Sequence, residues 1–264
     1  MESTPAPSAP AATAGNLYAD LSAYYDGFCN EVNYAEQGDF VARAFACLAE
    51  TSGRDYLDLA CGTGQLLGLM HNKGFVVTGL DNSRQMLDAS ALRCPSAALM
   101  LCDLATFDVD ARFDLVSCFL YSIHYSHPVS ALTETLRRTF RALKPGGVFI
   151  FDMVDKGGIG ERDVITRLEQ GDARFTFCSG WRYDGSSESM ELQVAIRRED
   201  DAGVQDWKDH HPMTAISIEQ VRTLMREAGF SITILERDFA RLKEWDGKSH
   251  NVIMAGMKPH AGAE

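Results

Sequence analysis

No apolar run in the sequence approaches the ~20 consecutive residues that a bilayer-spanning helix needs. The stretch Met1–Gly15 holds no Lys, no Arg and no Leu-rich core, so it lacks the basic and apolar parts of a secretory signal. Its Ala, Pro, Ser and Thr content reads instead as a disordered tail over residues 1–15. Seven cysteines are present without a C-x-x-C; the nearest pair is Cys94 and Cys102, a spacing that excludes a disulfide framework and fits free thiols in a reducing cytoplasm. Clustered positive charge is also scarce. With 25 Lys plus Arg against 37 Asp plus Glu the net charge is −12, which argues against a nucleic-acid surface, because phosphate neutralisation needs grouped Lys and Arg. Arg137, Arg138, Arg141 and Lys144 do group, but near a helix C-terminus, where they complement the helix dipole. Neither a membrane nor a nucleic acid is expected as partner.

What is present is the composition of a soluble globular protein, 45% hydrophobic and 23% charged, and 264 residues suit one elaborated α/β domain over residues 16–264. An amphipathic helix carries Phe40, Val41, Ala44, Phe45 and Leu48 on one face. From Asp55 strands and helices alternate: strands at Tyr56–Ala60, Phe75–Leu80, Ala97–Leu101, Phe113–Phe119 and Val148–Met153, with helices near Gly64, after Ser83 and between Pro128 and Leu143. Such alternation predicts a mostly parallel sheet covered on both faces. Between Gly157 and Pro212 the pattern changes to alternating strands (Arg174–Trp181, Met190–Arg198, Val204–His210), an antiparallel β insertion over 157–212 that would form a lid or substrate-binding subdomain. A capping box at Ser217-Ile218-Glu219-Gln220 opens a last helix, and strands at Phe230–Phe239 and His250–Met257 complete a seven-stranded sheet.

The segment Tyr56-Leu57-Asp58-Leu59-Ala60-Cys61-Gly62-Thr63-Gly64 reads as a strand entering a glycine turn and then a helix. Gly62 and Gly64 carry no Cβ, so a ligand can lie close to the backbone. Asp81 closes the second strand, where an acid can accept both hydroxyls of a ribose. These features predict a bound nucleoside. A dinucleotide site would need a third glycine for close helix–strand packing, but that position holds Leu67.

The D-x-A-C-G-T-G form of Asp58 to Gly64 resembles motif I of the class I S-adenosylmethionine (SAM) dependent methyltransferases. Asp81, Asp103 in Leu101-Cys102-Asp103-Leu104, Phe113-Asp114-Leu115-Val116 and Leu143-Lys144-Pro145-Gly146-Gly147 match further motifs of that family, in order. The resemblance implies a Rossmann-like methyltransferase fold, SAM as cofactor and S-adenosyl-L-homocysteine as product. Asp81 is then the ribose acid, with Asn82 beside it, and Asp103 accepts from the adenine amino group; as alternatives, Asp81 would be a turn residue and Asp103 a helix cap. Cys102 can hydrogen-bond the adenine edge, while Met86 and Leu104 supply apolar walls; Ala60 belongs to the glycine turn and Phe119 to the end of the fourth strand. Tyr18-Ala19-Asp20 and Tyr24-Tyr25-Asp26-Gly27-Phe28 are similar to a segment of small-molecule N-methyltransferases, including the amino-sugar N,N-dimethyltransferases, that folds over the cofactor. Tyr18 and Tyr25 would then close the pocket; an amphipathic helix with interface tyrosines is the alternative.

Beyond the fourth strand, Tyr121-Ser122-Ile123-His124-Tyr125-Ser126-His127 emerges where open α/β sheets bind ligands. It lacks the (N/D)-P-P-(Y/F) motif of adenine and exocyclic-amine methyltransferases. Only Asp152 follows the fifth strand, and His124-x-x-His127 has no ligand set around it, so no metal is expected. Tyr121 and His124 are candidates for the catalytic machinery; His124 either acts as a base or hydrogen-bonds a loop carbonyl. His211, in Lys208-Asp209-His210-His211, is a further candidate, because Asp209 and His211 resemble the D-x-H element of the amino-sugar group. Trp181, Tyr183 and Trp207 would form either an aromatic lid or the core of the insertion. The expected activity is methyl transfer from SAM to N or O of a small-molecule acceptor in a biosynthetic pathway, by a monomer or homodimer. Carbon or protein methylation, and a catalytically silent SAM-binding subunit, are the alternatives.

Overall fold

The computed structural model describes residues 13–14, 17–18 and 21–260. In chain order its elements are β1 (Thr13–Ala14), α1 (Tyr25–Phe28), α2 (Tyr34–Leu48), β2 (Asp55–Leu59), α3 (Gln65–Asn72), β3 (Val76–Asp81), α4 (Arg84–Arg93), β4 (Ala98–Leu101), β5 (Phe113–Cys118), α5 (Val129–Ala142), β6 (Leu143–Val154), β7 (Val164–Gln170), β8 (Ala173–Arg182), β9 (Ser189–Asp200), β10 (Gly203–Thr214), α6 (Ile218–Ala228), β11 (Ser231–Glu236) and β12 (Asn251–Met257). Most of the tail expected over 1–15, with Ala19 and Asp20, lies outside the described residues; Thr13–Ala14 pair in parallel with Trp207 and Lys208 of β10.

Seven strands form the first sheet in the order β11-β12-β6-β5-β2-β3-β4. β2, β3, β4, β5 and β6 pair in parallel, whereas β12 runs antiparallel to both β6 and β11. This is the mostly parallel Rossmann-like sheet that the βα alternation predicts. Its strands are apolar on both sides because both faces are covered, one by a core that includes Leu57, Val116, Phe149, Leu136 and Val221, the other by Phe40, Phe45, Leu67, Val77 and Ile150. The local caps form as their sequences dictate: Ser83 accepts from Met86 N–H at the start of α4, and Ser217 and Gln220 complete a reciprocal capping box on α6.

Lys144-Pro145-Gly146-Gly147 differs from its expected turn. It is taken into β6 as an irregularity, with the register against β5 shifting between Phe113 and Leu115. Neighbouring backbone absorbs it: Gly146 N–H donates to Lys258 O at 2.7 Å, and Gly146 O accepts from Glu50 N–H at 2.8 Å.

The insertion is a five-stranded sheet, β1-β10-β9-β8-β7, whose strands after β6 run from Val164 to Thr214. Turns at 183–188 and 201–202 separate three of the strands, as their Asp-Gly-Ser and Asp-Ala-Gly sequences predict. β7 has no counterpart among the expected strands. Its seven residues bury only Thr166, so they carry too little apolar alternation to signal a strand. Leu17, Leu21, Tyr24 and Phe28 pack on Phe175, Phe177, Val194 and Ile196 of this sheet, which fixes the N-terminal segment against it. Trp207 joins that cluster and Trp181 and Tyr183 join a second one around Met190 and Met213. None of the three lines the large cavity described below, so packing the small sheet is what these aromatics do.

Candidate functional site

The loops at the C-terminal ends of β2, β3, β4 and β5, together with the N-terminal segment and the end of β10, enclose a cavity of 640 Å³. A smaller pocket of 30 Å³ adjoins it and shares Tyr25, Ala60, Gly62 and Ser122 as walls.

The glycine turn after β2 builds the floor. Ala60, Gly62 and Gly64 have φ of 54°, 53° and 78°, so the chain reverses in the left-handed region before entering α3. A Cβ on Gly62 would meet nothing nearer than the Tyr25 ring at 3.6 Å, which leaves Gly62 facing open space. Gly64 is different. It lines neither pocket, and a Cβ there would lie 2.4 Å from Ser90 Oγ of α4, so Gly64 serves close packing of the turn on that helix and not ligand contact.

Asp81, at the end of β3, lines the large cavity while its carboxylate is tied to the backbone: Oδ2 accepts from Gly62 N–H and Oδ1 from Ser83 N–H, both at 2.9 Å. Burial pushes its pKa up, and the two N–H groups oppose that shift. Asn82, Cys102, Asp103 and Leu104 continue the same wall. Asp103 is exposed; its Oδ1 accepts from Ala105 N–H at 2.8 Å in a local turn. Met86, expected as an apolar wall, is buried inside α4 and lines neither pocket.

Asp58 sits in the smaller pocket with Phe119, Tyr34 and Gln37. Its Oδ1 accepts from Ser117 Oγ at 2.7 Å, and Ser117 in turn contacts the Tyr56 hydroxyl at 2.6 Å. Burial outweighs those hydrogen bonds and raises the Asp58 carboxyl to about 7. Gln37 was not foreseen: it projects from α2, far away in sequence, and its Nε2 is buried with no hydrogen-bond partner among the described residues.

Tyr18 and Tyr25 both line the large cavity, 5.7 Å apart between ring centroids. The N-terminal segment is held there by contacts to both sheets. Tyr18 O accepts from Ser83 Oγ, Leu17 N–H donates to Asp209 Oδ2 at 2.6 Å, and Asp26 accepts from Thr63 Oγ1 at 2.7 Å and pairs with Arg93 at 2.6 Å. The Tyr18 and Tyr125 hydroxyls lie 2.5 Å apart. His211, from the last residues of β10, lines the cavity with its ring 4.9 Å from that of Tyr18 and 5.8 Å from that of Tyr125. Its Nε2 is 3.0 Å from Asp209 Oδ2, an ion-pair distance without the alignment of a hydrogen bond. Partial burial lowers the His211 pKa, against the pull of Asp209.

His124 does not reach either pocket. It is 1% exposed; its Nδ1–H donates to Thr214 O at 2.7 Å, and its Nε2 accepts from Val154 N–H at 3.2 Å. Both ring nitrogens are thus committed to backbone, and burial lowers the pKa from 6.5 to about 4. The expected base is instead a neutral structural histidine, tying the β5 loop to β6 and to the end of β10. Tyr121 is likewise outside the cofactor cavity: its N–H donates to Asp152 Oδ1 at 2.8 Å and its hydroxyl to Asn251 Oδ1 at 3.0 Å. Tyr125, two residues short of the end of the same segment, takes the place at the cavity that Tyr121 and His124 were expected to hold. Asp152 pairs with Arg237 Nε at 2.8 Å. Among the described residues no three His, Cys, Asp or Glu side chains converge as a metal site.

The geometry is that of a nucleoside site at the C-terminal edge of a Rossmann-like sheet, and comparisons with known proteins agree. The sequence profile of the methyltransferase domain matches residues 57–147. A dTDP-4-amino-2,3,4,6-tetradeoxy-D-glucose N,N-dimethyltransferase of Saccharopolyspora spinosa is 31% identical over 208 residues, 74% of this chain and 78% of that one. Among solved structures, the sugar N-methyltransferase KedS8 from Streptoalloteichus sp. has the same fold at a TM-score of 0.79 and 20% identity, over 98% of this chain and 100% of that one. SAM-bound CalS10, an amino pentose methyltransferase from Micromonospora echinaspora, matches at 0.73 and 19% identity, over 92% and 99%. The chain belongs to the class I SAM-dependent methyltransferases. Within that class it is an enzyme of the sugar N-methyltransferase type.

The residues present fit SAM. Gly62 leaves space where a side chain would intrude, and Asp81 offers a preorganised carboxylate. The unpartnered Gln37 amide, whose isolation costs about 1–3 kcal/mol, suits the α-carboxylate of the methionine portion, and Asp58 suits its ammonium. Among the described residues no helix is long and apolar enough to cross a membrane.

Proposed function

We propose that the chain methylates the amine nitrogen of a small-molecule acceptor of the amino-sugar kind, as one step of a biosynthetic pathway. The observation that carries this reading is that His211, with Asp209 beside it, lines the same cavity as Asp81, Asp103 and the glycine turn. Bound SAM supplies an electrophilic methyl group on its sulfonium. The chain then has three tasks: to hold the donor, to orient the acceptor, and to remove the proton of an amine that arrives as ammonium.

Asp81, Asn82, Cys102, Asp103 and Leu104 hold the adenosine, and Asp58, Ala60, Gly62, Gln37 and Phe119 surround the methionine portion. Tyr18 and Tyr25 close the pocket against water, with phenol faces that favour a cation. His211 is the base. With its Nε2–H directed to Asp209, Nδ1 keeps a lone pair, and the lowered pKa keeps the ring neutral at pH 7. Tyr125, in contact with both Tyr18 and His211, positions the acceptor. The β7–β10 insertion acts as the substrate-binding subdomain, since its last strand delivers His211 and Pro212 to the cavity.

Two relatives whose names specify amino-sugar N,N-dimethylation support the choice of nitrogen. The test is release of S-adenosylhomocysteine over paired panels of amino sugars and their hydroxyl counterparts. Turnover is expected with the amines; turnover confined to the hydroxyl series would overturn the assignment.

A further inference from the structure

A second cavity of 450 Å³ lies over the β6, β11 and β12 side of the sheet, lined by Tyr121, Glu236, Arg237, Asp238, Lys243, Ser249 and Asn251. Neither the cofactor nor the proposed base uses it. Its construction centres on Arg237. The Asp152 carboxylate, 0% exposed, takes the Arg237 Nε–H on one oxygen and the Tyr121 N–H on the other, both at 2.8 Å. The guanidinium is stacked between two rings, 4.7 Å from the centroid of Tyr121 and 5.0 Å from that of Phe239. Three contacts therefore hold a flexible side chain in one place. Its two terminal amino groups, the fork that recognises carboxylates and phosphates, have no protein partner among the described residues.

The other charges leave a cation surplus in function. Asp238 is engaged by Ala240 N–H at 3.0 Å and by Arg241 at 3.3 Å, and Glu236 accepts from Asp246 N–H at 3.1 Å. Lys243 makes no ion pair among the described residues. The loop that joins this cavity to the cofactor site is strained. Leu120 and Tyr121 are consecutive non-glycine residues at φ 58° and 59°, a conformation that the Asp152 hydrogen bond maintains. Tyr121 lines the second cavity and the next residue, Ser122, lines the first. Trp181 of the insertion meets the edge of Tyr121 at 5.2 Å. An acceptor bridging the two cavities would have one end at the methyl donor and the other against Arg237.

We infer that this cavity binds an oxyanionic group, a phosphate ester or a carboxylate, carried by the methyl acceptor; the link to the acceptor rests on the small-molecule reading above. Buried Asp152 is the positioning residue, Arg237 supplies a bidentate fork, Lys243 adds a point charge, and Ser249 and Asn251 add polar contacts. Preorganisation is the advantage: a guanidinium already fixed by Asp152 and two rings loses little side-chain freedom on binding.

The test uses the full chain loaded with SAM, titrated by calorimetry with inorganic pyrophosphate and, separately, succinate, so that the two arms distinguish phosphate from carboxylate. At least one is expected to bind, about tenfold more weakly to Lys243→Ala and not measurably to Arg237→Gln. Because Arg237→Gln leaves Asp152 buried without a cation, the paired change Arg237→Gln with Asp152→Asn serves as the folding control. SAM affinity is expected to stay within about twofold in all of them. Binding of neither anion, or equal binding to wild type, Lys243→Ala and the paired variant, overturns the proposal. A second assay compares amine acceptors that carry a phosphate or carboxylate with their uncharged counterparts. A KM raised about tenfold in Lys243→Ala for the charged form alone, with kcat little changed, supports it. Equal kcat/KM for both forms in wild type removes the link to the acceptor. If no amine is methylated while anion binding depends on Arg237 and Lys243, the amine reading fails and the anion site stands.

Discussion

Asp81 and Gly62 are bound to each other before any ligand arrives: the Asp81 Oδ2 accepts the Gly62 N–H at 2.9 Å, across the two strands that carry them. The acid that faces the ribose thus also fixes the turn that faces the rest of the cofactor. Asp81→Asn keeps the shape but weakens both functions. Charge-assisted hydrogen bonds contribute about 1.5–3 kcal/mol each, so SAM affinity should fall on the order of 10- to 100-fold. Calorimetry with S-adenosylhomocysteine checks this, and unchanged affinity would remove Asp81 from the binding site.

The two glycines of the turn should separate when replaced. Gly64→Ala forces a Cβ to 2.4 Å from Ser90 Oγ and 3.1 Å from Ser90 Cα at φ 78°, so it is expected to lower stability by about 2 kcal/mol or more. Gly62→Ala meets only the Tyr25 ring at 3.6 Å, so its cost is the left-handed strain of about 1 kcal/mol, with the larger loss in SAM affinity. Urea unfolding beside cofactor titration distinguishes the pair.

His124 is expected to act on stability. Removing its ring in His124→Ala opens a cavity and leaves Thr214 O and Val154 N–H unpaired, a loss of about 2–4 kcal/mol. The sign of the pH effect follows from the lowered pKa. Above pH 6.5 the ring is neutral folded or unfolded; as pH falls from 6.5 toward about 4, only the unfolded chain takes the proton, so stability drops, by about 3 kcal/mol at most. Below that range this residue adds no further slope. In His124→Phe this part of the acid sensitivity should vanish. An identical pH dependence in the variant contradicts the buried neutral ring.

His211 should control the acid limb of the rate. A base must be unprotonated, so kcat/KM falls as pH drops through the His211 pKa, which lies below the ordinary histidine value because burial disfavours its charge. Asp209 opposes that shift. Asp209→Asn therefore moves the limb to still lower pH while reducing kcat, and His211→Ala removes the limb and lowers kcat about 100-fold or more. If His211→Ala retains both the limb and the rate, another group is the base.

Much of this enzyme can be read from local sequence because its signals are local. The strand–turn–helix at Tyr56–Gly64, the serine caps at Ser83 and Ser217 and the alternating β and α periods each depend on neighbours a few residues away. Strand β7 escaped because Val164–Gln170 buries one residue and is held in place by pairing with β8. His124 and Tyr125 show the limit most plainly. They are adjacent on one loop and equally plausible by position, yet a 3-10 turn over Ser122–Tyr125 sends the first into the core and the second to the cavity.

The sequence by itself determined the methyl donor. Asp58, Gly62, Asp81 and Asp103 stand at strand ends, where any sheet of this connectivity brings them together. Tertiary structure decided what surrounds the acceptor. Gln37, Asp209 with His211, and Asp152 with Arg237 come from elements separated by as many as 85 residues, and their direction depends on which neighbour satisfies each buried polar group. That choice is made by packing between the two sheets, and no short stretch of sequence contains it.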